Sequence, residues 1–129
     1  MPHPALSRIL YVEDDADIRE IAQLALEMVG GFKMLLCASG DQALAQAPAF
    51  APQLILLDVM MPGMDGPTTL TALRQQPELA HIPIAFMTAK IQPQEIAAYK
   101  AMGAADVIAK PFDPMLLPQQ VTEIWLSSK

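Results

Sequence analysis

The sequence predicts an α/β protein with a single, doubly wound sheet of five parallel strands and five helices. Apolar runs of strand length alternate along the chain with amphipathic segments of helical period. The composition, 53% hydrophobic and 17% charged, suits a sheet that helices cover on both faces. With 129 residues the chain has the length of one domain. We therefore expect one domain over residues 1–129, with its core between about residues 8 and 125.

The first predicted strand covers residues 8–12 and leads into the acidic residues Glu13, Asp14 and Asp15. Asp15 is expected mainly to cap the helix that follows, because a carboxylate can accept the free N–H groups of a first turn. This helix should end at Gly30, with its apolar residues on the face that meets the sheet. Those residues are Ile18, Ile21, Ala22, Ala25, Met28 and Val29.

The second and third predicted strands lie on either side of a short, alanine-rich helix. The second strand covers residues 33–38, and the Ser39-x-x-Gln42 pattern predicts a capping box at the start of the helix, which Pro48 should close. The third strand covers residues 54–57 and is wholly apolar up to Asp58, after which Pro62 and Gly63 indicate a loop. An apolar strand that ends in a carboxylate requires charge compensation nearby.

The last part of the chain contains three predicted helices and two strands. Gly66 should cap a helix that starts at Pro67 and ends before Pro77, a strand covers residues 82–87, and a helix starts at Pro93. The fifth strand covers residues 106–109. The final helix begins either at an Asp113-Pro114 cap or near Pro118, and the pattern leaves both starts open. The expected buried residues of these helices are Leu70, Leu73, Leu117, Val121, Ile124 and Trp125.

The composition excludes several classes of function. With 8 basic and 14 acidic residues, direct binding to nucleic acid is disfavoured, because phosphate contacts need clustered lysine and arginine. A single cysteine, Cys37, excludes a disulfide framework and is expected to be buried. No apolar run has the length of a membrane span, and the first residues do not form a signal peptide. We expect a cytoplasmic protein.

Five polar residues follow the ends of four predicted strands. They are Glu13, Asp14, Asp58, Thr88 and Lys110. In a parallel sheet these ends lie at one edge, so the five side chains should meet in one pocket. The carboxylates suit Mg²⁺, which binds oxygen ligands and shares phosphate oxygens, and an aspartate can act as a nucleophile towards phosphorus. The lysine and the hydroxyl can donate to phosphoryl oxygens.

The motifs ILYVEDD, LLDVMMPGMDG, the Thr-Ala of FMTAK and the Lys-Pro of IAKPFDP resemble the response-regulator receiver domain of two-component signalling, of the chemotaxis-regulator kind. The resemblance covers residues 8–125. It implies a flavodoxin-like fold with strand order 2-1-3-4-5 and Mg²⁺ as the cofactor. It makes Asp58 the phosphoacceptor, Glu13 and Asp14 the acidic metal pair, and the backbone carbonyl of Met60 a further metal ligand. Thr88 matches the family's switch hydroxyl, and Lys110 matches its phosphoryl-contacting lysine.

The resemblance also implies partners. A histidine kinase or phosphotransfer protein would donate the phosphoryl group, and the output would be protein binding through the face of helix four, strand five and helix five. Val107 departs from the family, which commonly carries tyrosine or phenylalanine at this position. Met60 and Lys90 occupy positions linked in the family with the lifetime of the phosphoryl group. No DNA-binding segment or enzymatic domain follows Trp125, so the chain is expected to be either a stand-alone regulator that acts through protein contacts, which we favour, or a domain cut from a larger protein.

Two other functions stay open at this stage. A phosphatase of the haloacid-dehalogenase type also uses an aspartate nucleophile at the end of a strand, but it needs a second aspartate two residues later, where this sequence has Met60. A receiver-like scaffold that binds partners without phosphorylation is conceivable because of Val107. Apart from its own phosphorylation and dephosphorylation, the receiver is not expected to be an enzyme.

Overall fold

The computed structural model describes residues 4–128 and contains one five-stranded parallel sheet, in the strand order β2-β1-β3-β4-β5. The strands are β1 (Arg8–Val12), β2 (Lys33–Cys37), β3 (Leu54–Asp58), β4 (Ile84–Thr88) and β5 (Asp106–Ala109). The helices are α1 (Ala16–Gln23), α2 (Gly40–Phe50), α3 (Gly66–Arg74), α4 (Pro93–Ala101) and α5 (Leu117–Ser127). The predicted fold class, strand order and number of α-helices are confirmed.

Two hydrophobic layers cover the faces of the sheet. Alternate residues of a strand point to opposite faces, so β3 contributes Ile55 and Leu57 to one layer and Leu54 and Leu56 to the other. The first layer packs against α2 and α3, and the second packs against α1 and α5. All five residues of β3 are buried, which fixes the position of Asp58 at the end of this strand.

Helix α1 continues into a π-helical segment, Leu24–Val29, which changes the face that the helix buries. The N–H of Gly30 donates to the carbonyl of Ala25, five residues back, and this wider turn rotates the later side chains away from α-helical register. Leu26 is therefore buried, whereas Met28 is 77% exposed. The prediction of a buried face was correct for Ala22 and Ala25 but wrong for Met28 and Val29, which lie exposed in the π-helical segment. It was also wrong for Ile21, which precedes that segment and lies exposed at an open cavity beside Phe112.

Helix α2 does not end at Pro48, contrary to the sequence prediction. Proline has no N–H to donate to the carbonyl four residues earlier, which belongs to Leu44. The side chain of Gln76 donates to that carbonyl at 3.4 Å, so a tertiary contact replaces the missing hydrogen bond. The helix continues to Phe50 and ends at Ala51, whose backbone is left-handed. At the other end Ser39 caps the helix as predicted, but Gln42 accepts from the N–H of Ala38 instead of completing the box on Ser39.

The starts of two other helices also bear on the predictions. The cap of α3 differs from the predicted one, and the start of α5 decides between two predicted positions. Asp65, not Gly66, caps α3, because its carboxylate accepts the N–H of Thr68 at 2.9 Å. Helix α5 starts at Leu117 with Pro118 in its first turn, which selects the later of the two predicted starts. Asp113 caps the preceding turn by accepting the N–H of Met115.

Strand β2 ends one residue earlier than predicted and β4 covers Ile84–Thr88 rather than residues 82–87.

The remaining helices and the cysteine agree with the predictions. Helix α4 begins at Pro93, and the expected buried residues of α3 and α5 are buried. Cys37 is a free, buried cysteine. Across residues 4–128, no helix has both the length and the apolar character needed to cross a membrane.

Candidate functional site

The predicted site residues lie at, or directly after, the carboxyl ends of four strands along one edge of the sheet. Asp58 pairs in register with Met87 of β4, and Thr88 pairs with Ala109 of β5, directly before Lys110. Glu13 follows β1, the neighbour of β3 on its other side. The parallel order therefore places residues nearly 100 positions apart in sequence in one pocket, since Lys110 and Glu13 are separated by 97 residues.

Three carboxylates meet in this pocket. One oxygen from each of Glu13, Asp14 and Asp58 lies within 4.8 Å of the other two. Glu13 and Asp58 are buried, at 1% and 3% exposed, whereas Asp14 is exposed. Hard oxygen ligands from carboxylates, together with access to water on one side, are what a Mg²⁺ site requires. The donor set therefore fits the metal that the sequence predicts.

Lys110 supplies the positive charge nearest to the buried carboxylates. Its Nζ donates to Glu13 Oε1 at 2.8 Å and to Asp58 Oδ1 at 3.1 Å. Burial alone would lower the pKa of Lys110, but the hydrogen bonds to Glu13 and Asp58 outweigh it and raise this pKa above its usual value. Lys110 therefore stays charged and provides the compensation that a buried Asp58 needs. The Lys110-Pro111 peptide bond is cis.

Glu13 is held by contacts on both its side chain and its backbone. Its Oε2 accepts the N–H of Asp15 at 3.3 Å, and its carbonyl accepts from Arg19 Nη1 at 2.6 Å. Asp15 caps α1 as predicted, through its Oδ1. The role of Arg19 was not predicted, because six residues separate it from Glu13 and only the folded turn before α1 brings them together.

Burial controls the protonation of two groups in or beside the pocket. Burial, and the negative charge of Asp58, raise the pKa of Glu13 from 4.5 to about 7, although Lys110 opposes this effect. Burial first, and then Glu13 and Asp58, raise the pKa of Tyr11 well above its usual value. The Tyr11 hydroxyl has no hydrogen-bond partner within residues 4–128. It therefore stays neutral next to a negatively charged pocket.

The raised pKa of Glu13 predicts how stability depends on pH without metal. The folded state binds the Glu13 proton more tightly than the unfolded chain, so this residue's contribution to the free energy of unfolding falls as pH rises from 4.5 to about 7. We expect this fall in urea unfolding with a chelator present, and a smaller fall in Glu13→Gln. The exposed control Glu20→Gln should behave like the natural chain. The same pH dependence in all three proteins would contradict the prediction.

The other predicted residues lie around this pocket. The Thr88 hydroxyl is buried and accepts the N–H of Lys90 at 3.0 Å. Met60 lies in the loop after β3 with its side chain 70% exposed, and its carbonyl remains a predicted metal ligand. Val107 is half-buried on β5, outside the cluster of carboxylates.

Gly66 has a positional role that the sequence analysis did not identify. A Cβ atom at this residue would lie 2.6 Å from the carbonyl oxygen of Asp58 and 2.8 Å from Cα of Val59. Its N–H also donates to the carbonyl of Val59 at 2.9 Å. The start of α3 therefore packs directly against the backbone that carries Asp58. The sequence does show a glycine at this position, but a helix cap accounts for a glycine there equally well, so its close packing against Asp58 could not be predicted.

Comparison with known proteins agrees with this geometry. The model of the response regulator receiver domain family matches residues 9–122. The DNA-binding response regulator MtrA of Mycobacterium leprae is 37% identical over 114 residues, which cover 88% of this chain and 49% of MtrA. Response regulator PleD of Caulobacter vibrioides is 37% identical over 120 residues, which cover 92% of this chain and 26% of PleD.

Solved structures show the same relationship. The chemotaxis protein CheY4 of Vibrio cholerae superimposes with a TM-score of 0.85 at 31% identity, covering 93% of this chain and 99% of CheY4. A response regulator from Chloroflexus aurantiacus gives a TM-score of 0.83 at 34% identity, covering 94% and 98% of the two chains. The protein belongs to the response regulator receiver domain family, the signalling domains of two-component systems. The chain spans about half the length of relatives such as MtrA.

Proposed function

We propose that Asp58 accepts a phosphoryl group from the phosphohistidine of a histidine kinase or phosphotransfer protein. The observation that carries this proposal is the position of Asp58, whose carboxylate ends a buried strand and binds Lys110 at 3.1 Å, next to two further carboxylates. The family match favours this function over the phosphatase, which needs a second aspartate at the position of Met60.

The proposed reaction is an in-line displacement at phosphorus. A carboxylate oxygen of Asp58 forms a bond to phosphorus as the bond to the donor's histidine nitrogen breaks. The electron pair of the broken bond stays on the imidazole nitrogen, and the imidazole takes up a proton from water to leave as the neutral ring. Lys110 lies close enough to Asp58 to donate to a phosphoryl oxygen, and the Thr88 hydroxyl at the next strand end can serve as a second donor.

Mg²⁺ is the proposed cofactor. Glu13, Asp14 and Asp58, with the carbonyl of Met60, would hold the ion. When bound, Mg²⁺ neutralises charge on the transferred phosphoryl oxygens. The protein keeps the buried carboxylates in place for this ligand through Lys110 and through the Arg19 contact to the Glu13 backbone.

An apolar surface beside the pocket supports docking of a protein donor. A cavity of about 150 Å³ lies between Lys110 and the first turns of α1. It is lined by Ile18, Ile21, Lys110, Pro111, Phe112 and Pro114. The π-helical segment extends this surface by exposing Leu24 and Met28. Exposed apolar patches mark sites of protein contact, and this one lies where a donor would approach Asp58.

The output in this proposal is binding to another protein through α4, β5 and α5, without contact to nucleic acid by this domain. Slow hydrolysis of the aspartyl phosphate would return the domain to its starting state. The exposed residues Met60 and Lys90 border the pocket and would influence the rate at which water reaches it. We also propose that the protein is cytoplasmic, because the kinase domain that would supply the phosphoryl group would lie there.

Intact-mass spectrometry with a small phosphodonor and Mg²⁺ tests the proposed function. The natural chain should gain one phosphoryl mass that is labile to mild base, and Asp58→Asn should gain none, because an amide is not a nucleophile towards phosphorus. Asp41→Asn, a surface change in α2, should gain the phosphoryl group like the natural chain. No gain in the natural chain would favour the scaffold function instead.

A further inference from the structure

We infer that the Tyr11 hydroxyl donates a hydrogen bond to the Glu13 carboxylate once Asp58 carries a phosphoryl group. At that point Lys110 turns to the phosphoryl oxygens, and Tyr11 replaces it as the donor to Glu13. In this role Tyr11 is a positioning residue that stabilises the phosphorylated domain. The inference rests on the proposed function, because only the arrival of the phosphoryl group would draw Lys110 away from Glu13.

The Tyr11 hydroxyl is buried without a hydrogen-bond partner. The residue is 1% exposed, and its ring packs in the hydrophobic layer covered by α1 and α5. Among the buried side-chain nitrogen and oxygen atoms of residues 4–128, only this hydroxyl and Oε1 of Gln120 have no partner, and Oε1 cannot donate. A phenylalanine ring would give the same apolar packing without burying a polar atom. We therefore expect the hydroxyl to form its hydrogen bond in another state of the domain.

Strand geometry places this hydroxyl on the same side of the sheet as the buried carboxylates. The N–H of Glu13 donates to the carbonyl of Cys37 at 3.0 Å, so the extended backbone of β1 continues to Glu13. Residues two apart in a strand face the same side, as Tyr11 and Glu13 therefore do. Tyr11 pairs in register with Leu56, and Asp58 lies two residues further along β3. Burial, then the charge of Glu13 and then that of Asp58, raise the pKa of Tyr11, so its phenol is within electrostatic range of both carboxylates.

Glu13 depends on Lys110 in the unphosphorylated domain. Its Oε1 accepts from Lys110 Nζ at 2.8 Å, and its Oε2 accepts a longer hydrogen bond, of 3.3 Å, from the N–H of Asp15. The same Nζ donates to Asp58 Oδ1 at 3.1 Å, on the carboxylate where the phosphoryl group would arrive. A phosphoryl group carries more negative charge than a carboxylate, so its oxygens compete with Glu13 for Nζ.

Glu13 then needs a second donor, since a buried carboxylate without a partner is strongly unfavourable. Glu13 is itself 1% exposed, so bulk water has little access to it. Arg19 is already bonded to its backbone carbonyl. A phenol is uncharged at neutral pH and carries one O–H, so Tyr11 can donate to Glu13 while Lys110 neutralises the phosphoryl group.

The test compares Tyr11→Phe with the natural chain in Mg²⁺, with beryllofluoride as the analogue of the phosphoryl group. Without the analogue, the urea midpoint of the variant should equal or exceed that of the natural chain, because the variant buries no unpaired hydroxyl. Affinity for the analogue, measured by amide NMR, should fall about tenfold in the variant, as expected for one lost hydrogen bond to a charged group. The control Tyr99→Phe, which removes the other tyrosine hydroxyl on the opposite side of the sheet, should keep the natural affinity.

The natural chain allows a second measurement that needs no change to Tyr11. Isotope-labelled tyrosine gives two Cζ resonances, one for each tyrosine, and Tyr99→Phe assigns them. The Tyr11 resonance should move downfield when the analogue binds, because this carbon responds to hydrogen-bond donation by its hydroxyl.

Equal affinity for the analogue in Tyr11→Phe and the natural chain would overturn the inference, as would a Tyr11 Cζ resonance that does not move. A loss of stability that is the same with and without the analogue would also overturn it, because the hydroxyl would then be bonded in both states. A natural chain that gains the phosphoryl mass while any of these results holds refutes this inference alone. A natural chain that gains no phosphoryl mass refutes the proposed function, and this inference with it.

Discussion

Replacing Lys110 with methionine should lower the free energy of unfolding by about 3–5 kcal/mol without metal, because it leaves two buried carboxylates unpaired. Lys110 contacts Glu13 at 2.8 Å and Asp58 at 3.1 Å, and both carboxylates are almost fully buried. Methionine keeps most of the side-chain volume, so loss of charge rather than loss of packing dominates the change. Urea unfolding with a chelator present measures it.

Three comparisons show whether this destabilisation comes from the buried ion pairs of Lys110 or would follow the replacement of any lysine. Lys100→Met removes a longer, exposed contact to Asp106 and should change stability by less than about 1 kcal/mol. Adding Glu13→Gln to Lys110→Met should recover part of the loss, because one of the unpaired charges is then absent. Mg²⁺ should also recover part of it. Equal destabilisation by Lys110→Met and Lys100→Met would contradict the proposed role of Lys110.

Gly66→Ala should destabilise the protein by about 1–3 kcal/mol and should also weaken Mg²⁺ binding. The new methyl group would lie within 3 Å of backbone atoms of Asp58 and Val59, which cannot rotate away as a side chain can. Alanine favours a helix over glycine by up to about 1 kcal/mol, so the steric cost must exceed that gain. Urea unfolding and Mg²⁺ titration followed by amide NMR measure the two effects.

Thr71→Ala provides a matched control in the same helix. Thr71 is exposed on α3 and its hydroxyl bonds to the carbonyl of Pro67, so its removal acts on the helix without touching the Asp58 backbone. We expect Mg²⁺ affinity in this variant to equal that of the natural chain. A stable Gly66→Ala protein with unchanged Mg²⁺ affinity would show that the start of α3 does not position Asp58.

The site was predictable because its residues follow strands, and a parallel sheet places the ends of its strands together. An apolar run ending in Asp58 and an acidic pair after β1 were enough to predict a shared pocket, and the structure brings Glu13, Asp14 and Asp58 within 4.8 Å. Lys110 joins them from the end of β5. These contacts depend on topology, which alternating strands and helices largely determine.

The errors arose where a tertiary contact or a change of helical period outweighed a local pattern. Pro48 was expected to end α2, but Gln76 from a distant part of the chain bonds to the carbonyl that proline leaves free. Met28 was expected to be buried, because the prediction assumed an α-helical period through a segment that is π-helical. Arg19 could not be predicted as a contact of Glu13, because its effect depends on the turn between β1 and α1.

The most direct test of the central claim is to locate the phosphoryl group. After incubation with a small phosphodonor and Mg²⁺, borohydride reduces an aspartyl phosphate to homoserine, which peptide mass spectrometry can assign to one position. We predict homoserine at position 58 in the natural chain and in Asp41→Asn, and none in Asp58→Asn. Homoserine at position 14, or a reduced glutamate at position 13, with none at position 58, would contradict the assignment of Asp58 as the phosphoacceptor.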